Sequence, residues 1–177
     1  MFNWFKGAAR NRAIARELYG VVVAQSRRPE LYIEHGVPDT AEGRFEAVAM
    51  HLTLLLERLN REGEAGRSLG LLLTETFITD MDDNMREMGV GDLAVPRRVK
   101  KAAAGLYERA LRYRAALATG ASAGALRETV RDLVLGADAP VEKADALAAH
   151  LRAAAAVLNA VPASDLLAGH VRFDGKA

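Results

Sequence analysis

The spacing of hydrophobic residues predicts one helix at about residues 40–61 and another at about residues 67–88. In the first, apolar residues recur three or four positions apart: Phe45, Val48, Ala49, Leu52, Leu55, Leu56 and Leu59. The second carries a narrower apolar stripe of Leu69, Leu73, Phe77, Met81 and Met88. Because residues with this spacing share one face of a helix, both segments are expected to bury that face against other helices.

Glycine, proline and capping residues indicate where these helices begin and end. Asp39, with Glu42 three residues later, predicts a capping box at the start of the first helix. Gly89 and Gly91 are expected to end the second helix, because glycine readily adopts the left-handed conformation of a C-cap. Pro96 suits the first turn of the helix that follows.

The whole pattern predicts an all-α protein, a single-domain bundle of about six helices without strands. The other four helices are expected at about residues 3–27, at about 96–119, after Ser122 to about 135, and at about 141–159. The organisation that follows is an N-terminal amphipathic helix tip (1–17), a helical domain (18–160) and a tail (161–177). Residues 28–43 are expected to form a loop, and the tail is expected to be loosely held.

Composition favours this fold and narrows the chemistry. Half of the 177 residues are hydrophobic and only 6% are aromatic, which favours closely packed helices in one domain. The chain has no cysteine, and its four histidines form no metal-binding motif. A calcium-binding EF-hand loop starting at Asp80 is excluded, because its sixth and twelfth positions need glycine and glutamate but hold Met85 and Gly91. We therefore expect a binding protein, with no enzymatic activity, no cofactor and no metal.

Charged residues are segregated along the chain although the net charge is only +1. Residues 75–92 contain six acids, namely Glu75, Asp80, Asp82, Asp83, Glu87 and Asp92, and one base, Arg86. Residues 97–114 contain seven bases, namely Arg97, Arg98, Lys100, Lys101, Arg109, Arg112 and Arg114, and one acid, Glu108. Such segregation indicates either a binding surface or an ordinary solvated face.

Asp80 lies within an apolar stripe, so its carboxylate needs a partner. Arg44, His51 and Arg58 recur every seven residues on one flank of the preceding helix. We therefore predict that Asp80 pairs with Arg44 or a nearby base. A lone histidine on a helix flank, such as His51, is more often a hydrogen-bonded packing residue than a ligand.

Two further segments leave alternatives open. The basic segment suits contact with RNA or the ribosome, yet a solvated basic helix explains it equally well. At the N-terminus, Phe2, Trp4 and Phe5 stand beside Lys6 and Arg10, which suits either a membrane interface or an aromatic tip packed on the bundle. No segment is long and apolar enough for a membrane span, so we expect a soluble, cytoplasmic protein.

Three ordered motifs give the chain a family resemblance. LYGVVVAQSRRPELY, GVPDTAEGRFEAVAMHL and DMDDNMREMGVGDLAVPRRVKK together resemble the ubiquinol–cytochrome c chaperone family over roughly residues 18–119. The resemblance implies an all-helical assembly factor that holds newly made cytochrome b before it joins the cytochrome bc complex. It also implies contact with the ribosome, since mitochondrial members are associated with ribosomes and with a small helper subunit. Contact with the inner face of the membrane is instead what the aromatic N-terminal tip suggests. A helper subunit is left open. The alternative is a ribosome- or RNA-associated helical adaptor without a cytochrome client.

The resemblance and the charge pattern together indicate the residues of interest. Those expected to bind the client or another partner are Arg44, His51, Asp82, Asp83, Arg86, Glu87, Asp92, Arg97, Arg98, Lys100 and Lys101. Those expected to have structural roles are Asp39, Gly43, Asp80, Gly89, Gly91 and Pro96.

Overall fold

The computed structural model describes residues 2–87, 89 and 94–174, with side chains from residue 7 onward, and within these ranges the chain is helical with no strand. The helices are α1 (Phe2–Ser26), α2 (Pro29–Ile33), α3 (Ala41–Asn60), α4 (Gly63–Glu87), α5 (Val95–Leu117), α6 (Ala125–Val130), α7 (Val141–Ala160) and α8 (Ala163–Leu167). A π-helical turn, Arg131–Leu135, continues α6. The all-α prediction is confirmed, but the described chain has eight helices rather than about six.

Helix α3 is the centre of the bundle, because α1, α4, α5 and α7 all pack against it. Leu52, Leu55 and Leu59 on its apolar stripe are fully buried, as the spacing predicts. Polar residues on other sides of α3 are buried as well, including His51 and Glu46. A helix surrounded on this many sides needs partners for its polar groups as well as for its apolar stripe.

The two additional helices lie in segments that the sequence pattern assigned to a loop and a tail. Helix α2 starts at Pro29, whose fixed φ angle suits a first helical turn, and Leu31 within it is fully buried. In the tail, Leu166 and Phe173 are also buried. The expectation of a loosely held tail is therefore wrong as far as residue 174, because its apolar side chains complete the core.

The start of α3 differs in one residue from the predicted capping box. The cap is Thr40, whose hydroxyl oxygen accepts a hydrogen bond from the Gly43 backbone N–H at 3.1 Å. The carboxylate of Asp39 instead accepts a hydrogen bond from Arg44 Nε at 2.8 Å on the surface. A side chain on residue 43 would bring its Cβ within 1.9 Å of the Pro38 carbonyl oxygen, so only glycine fits there.

In the described part of the connection between α4 and α5, Gly89 and Pro96 occupy the predicted positions at the end of one helix and the start of the next. Gly89 has a φ of +75° and donates its backbone N–H to the Arg86 carbonyl oxygen at 3.0 Å. Pro96 lies in the first turn of α5. Gly91 lies outside the described residues. Helices α4 and α5 contact each other as well as α3, so the end of one and the start of the other belong to the same part of the bundle.

Candidate partner-binding surface

The C-terminal end of α4 carries exposed carboxylates. Asp82 accepts a hydrogen bond from Arg86 Nε at 2.7 Å, one helical turn away. Asp83 and Glu87 are exposed, and neither forms an ion pair with a residue in the described ranges. An acid in the last turn of a helix, as Glu87 is, lies at the negative end of the helix dipole and is unfavourable there. Stability of α4 therefore does not account for this acid.

The N-terminal end of α5 carries bases, and the dipole of that helix disfavours positive charge there. Arg97, Arg98, Lys100 and Lys101 are all exposed, and no carboxylate of the described chain lies within ion-pair distance of them. Arg97 and Arg98 are close to the positive end of the α5 dipole, where cations are disfavoured. We call these four bases and the acids Asp82, Asp83 and Glu87 the charged helix ends.

The remaining bases of the basic segment have a different role. Arg109 pairs with Glu46 of α3, with Nε to Oε2 at 2.7 Å, and its guanidinium lies 5.2 Å from the centre of the Phe45 ring. Arg114 donates from Nε to Glu57 at 2.8 Å, also on α3. Within the described chain, the run of seven bases therefore divides into an N-terminal group without ion-pair partners and a C-terminal group that holds α5 against the bundle.

Helix α5 also exposes apolar side chains. Tyr107 is 68% exposed and Leu111 is 44% exposed, one helical turn apart. Val95, Leu106 and Tyr113, on the opposite side of the helix, are buried. An apolar strip therefore continues along the outer face of α5 beyond the four unpaired bases.

The predicted pairing of Asp80 with Arg44 is wrong. Asp80 Oδ2 accepts a hydrogen bond from the hydroxyl of Tyr19, on α1, at 2.7 Å. Arg44 is exposed and pairs with Asp39. The reason is that α1 packs along α4 and covers the side of it from which Asp80 projects. Burial and then the bond to Asp80 hold the pKa of Tyr19 above its ordinary value, so Tyr19 stays a donor.

We expect Asp80→Ala and Tyr19→Phe each to lower the free energy of unfolding by about 1–2 kcal/mol, because each removes one partly buried hydrogen bond. The free energy of unfolding lost in the double variant should be smaller than the sum of the losses in the two single variants. Urea unfolding of all three variants measures this coupling. Asp82→Ala is the control, since loss of its exposed pair should change stability by no more than about 0.5 kcal/mol. Additive effects of the two substitutions would contradict the proposed coupling.

His51 is not on the partner-binding surface, because it is fully buried. Its Nδ1 lies 2.8 Å from the Ala47 carbonyl oxygen, which can only accept, so Nδ1–H donates. Nε2 must then accept a hydrogen bond from His150 Nε2, 3.0 Å away on α7. His51 is thus a packing residue, as expected of a lone flank histidine, and its assignment to partner binding is wrong.

Histidines cluster around this hydrogen bond without forming a metal site. The rings of His35 and His150 are 5.2 Å apart, and the Phe173 ring lies edge-on to His51 at 5.2 Å. Burial lowers the pKa of His51 to about 3. Burial, and then His35, lower the pKa of His150 to about 4. In the described part of the chain, no group of histidines and carboxylates has an arrangement suited to a metal ion.

Some of the predicted site residues lie outside the part of the chain that the structure describes. Asp92 lies outside the described residues, as do the side chains of Phe2, Trp4 and Phe5, so the N-terminal tip stays a prediction. No helix in the described ranges combines the length and hydropathy needed to cross a bilayer. The sequence pattern did not reveal Tyr19, Glu46 and Glu57 as ionic or hydrogen-bonding partners, because all three lie on helices other than those of their partners.

Comparison with known proteins identifies the family. Residues 34–173 match the family model described as Ubiquinol-cytochrome C chaperone. The chain belongs to the ubiquinol–cytochrome c chaperone family. The match continues well beyond residue 119, where the sequence motifs end, so the C-terminal helices are part of the family fold as well. The family is one of chaperones for the assembly of respiratory complex III.

A solved structure supports the same assignment. The chain is similar to the crystal structure of the Cbp3 homolog from Brucella abortus, with a TM-score of 0.85 and 31% sequence identity. The alignment covers 96% of this chain and 93% of that chain. Among curated proteins, no match was found.

Proposed function

We propose that this chaperone binds newly synthesised cytochrome b and holds it for assembly into the cytochrome bc complex. The family match over residues 34–173 is the observation that carries this proposal. The activity is binding without turnover, and its place is the cytoplasmic side of the membrane into which cytochrome b inserts. We place the client contact at the acids of the charged helix ends, chiefly Asp83 and Glu87, which are exposed and form no ion pair within the described chain.

Charge complementarity supports the acids as the contact with cytochrome b. Loops of membrane proteins on the cytoplasmic side carry an excess of lysine and arginine. Asp83 and Glu87 are exposed carboxylates without an ion-pair partner in the described chain, so they are available to such loops. Asp82 and Arg86 pair with each other beside them, and Asp92 follows in the sequence.

We expect the double variant Asp83→Lys/Glu87→Lys to capture at least about 10-fold less cytochrome b than the parent, because like charges then face each other across the contact. The measurement is recovery of newly made cytochrome b on the tagged chaperone, quantified by immunoblot. The control is Glu75→Lys/Asp138→Lys, which makes the same change in net charge at exposed positions outside the charged helix ends.

Three outcomes separate the possibilities. Equal capture by both double variants would move the client contact away from the acids of α4. No capture by the parent would overturn the cytochrome b proposal itself. Capture that disappears after nuclease treatment would favour a ribosome- or RNA-associated adaptor.

A further inference from the structure

The outer face of α5 combines unpaired cations with exposed apolar groups. At 100° per residue, Arg97, Lys100, Lys101, Tyr107 and Leu111 fall within a sector of about 120°. The cations occupy the first two turns of the helix, and the apolar side chains follow on the next turns. At the C-terminal end of the helix, Arg109, Arg112 and Arg114 are engaged by Glu46, Asp132 and Glu57.

We propose that this face of α5 docks on the surface of an anionic membrane. Arg97, Lys100 and Lys101 would meet lipid phosphates, while Tyr107 and Leu111 enter the boundary between head groups and acyl chains. The proposal deepens the proposed function, because a chaperone docked in this way meets its membrane client at the bilayer. It also stands on observations of its own, since it requires no client.

The chemistry of the face fits a bilayer better than it fits a nucleic acid. Phosphates of either partner would complement the three bases of this face. An RNA base can stack on Tyr107, but Leu111, 44% exposed, has no corresponding partner in RNA. A bilayer interface accepts both an aromatic side chain and a leucine beside basic residues. Glu108 is the one acid on this face, and its single charge does not offset the three bases.

The first test is co-sedimentation of the full chain with vesicles. We expect binding to vesicles of equal parts phosphatidylglycerol and phosphatidylcholine, little binding to phosphatidylcholine alone, and weaker binding at high salt. Because each base near an anionic surface contributes roughly a fivefold gain, changing Arg97, Lys100 and Lys101 to glutamine should weaken partitioning by about 100-fold. Tyr107→Gln/Leu111→Gln should weaken it by about 10-fold with the charge unchanged.

A matched control distinguishes α5 from the N-terminal tip. Arg10, Arg12 and Arg16 are exposed bases on α1, and changing these three to glutamine should leave vesicle binding within about twofold of the parent, since they lie outside the proposed face. Loss of binding in this variant, with the α5 variants unaffected, would overturn the assignment to α5. Absence of parent binding to the anionic vesicles at low salt would overturn the proposal altogether, as would binding to RNA but not to vesicles.

Tryptophan fluorescence gives a second readout that does not depend on the charge variants. The chain has a single tryptophan, Trp4, so a Trp4→Phe background leaves no other reporter. In that background, the emission of a Tyr107→Trp variant should shift to the blue with anionic vesicles and stay unshifted with phosphatidylcholine. A shift of Trp4 in the parent without a shift at position 107 would place the contact at the tip and contradict the proposal. The vesicles contain no cytochrome b, so failure here leaves the client-capture result intact.

Discussion

Replacing Arg58 by alanine is expected to lower the free energy of unfolding by about 3–5 kcal/mol, the cost typical of breaking a buried ionic network from one side. Arg58 is 8% exposed and connects α3 to the end of α7. Its Nε donates to the Leu158 carbonyl oxygen at 3.1 Å and its Nη2 to the Val161 carbonyl oxygen at 2.9 Å. Its remaining nitrogen pairs with Glu62.

The expected cost is large because the Val161 carbonyl and the Glu62 carboxylate lose their side-chain partner at once, and the Leu158 carbonyl loses one of its two donors. The Val161 carbonyl lies just beyond the C-terminal end of α7, where the helix provides no backbone donor for it, and the Leu158 carbonyl would keep only the Val161 backbone N–H, at 3.2 Å. Glu62 would keep its charge in a partly buried position without a cation. Urea unfolding, followed by far-ultraviolet circular dichroism, measures the effect.

Arg61→Ala is a matched control for Arg58→Ala. Arg61 is also at the end of α3 and donates to the Asn159 side chain at 2.9 Å, but it is exposed. Its removal should change the free energy of unfolding by no more than about 0.5 kcal/mol. Arg58→Lys should fall between the two, because lysine keeps the charge without the fork of donors. Equal stability of Arg58→Ala and Arg61→Ala would show that the network contributes little.

Arg58 also illustrates what the sequence could and could not predict. Periodicity placed Arg44, His51 and Arg58 on one flank of α3 and indicated that a polar flank needs partners. It could not say which helix faces that flank. In the structure Arg44 turns outward to Asp39, whereas His51 and Arg58 meet α7, about a hundred residues further along the chain.

Local signals predicted the elements that depend only on local physics. The apolar stripes of α3 and α4, the left-handed Gly89 and the position of Pro96 all follow from short-range spacing or backbone geometry. Helices α2 and α8 contain five residues each, too few to show a helical period, and they were missed. The charged segments were visible, but only the structure separates the four unpaired bases of α5 from the three that hold it in place.

Acidification between neutral pH and about pH 4 is expected to destabilise the protein through its buried histidines. Folding lowers the pKa of His51 from 6.5 to about 3, and that of His150 from 6.5 to about 4, chiefly by burial. The unfolded chain therefore binds more protons than the folded one in this interval. Since stability rises with pH wherever the unfolded state binds more protons, it must fall as the pH drops below about 6.5.

The geometry explains why the folded state resists protonation. His51 donates through Nδ1 to Ala47 and accepts through Nε2 from His150, so a second proton on His51 would remove its acceptor. Arg28 adds positive charge near both rings, whereas Glu30 favours the charged form of His150. For His51 alone, the loss between pH 7 and pH 4 should be on the order of 2–3 kcal/mol.

The comparison of two histidine variants isolates this contribution from that of the carboxylates. His51→Gln removes one depressed pKa and the hydrogen bond to His150, so it should be less stable than the parent at neutral pH. Its free energy of unfolding should then fall less steeply than that of the parent between pH 6.5 and 4. The two slopes should differ by about 1.4 kcal/mol for each pH unit. His170→Gln, at an exposed histidine, should keep the parental slope. Urea unfolding at a series of pH values measures all three slopes, and parallel curves for His51→Gln and the parent would show that His51 does not carry the acid sensitivity.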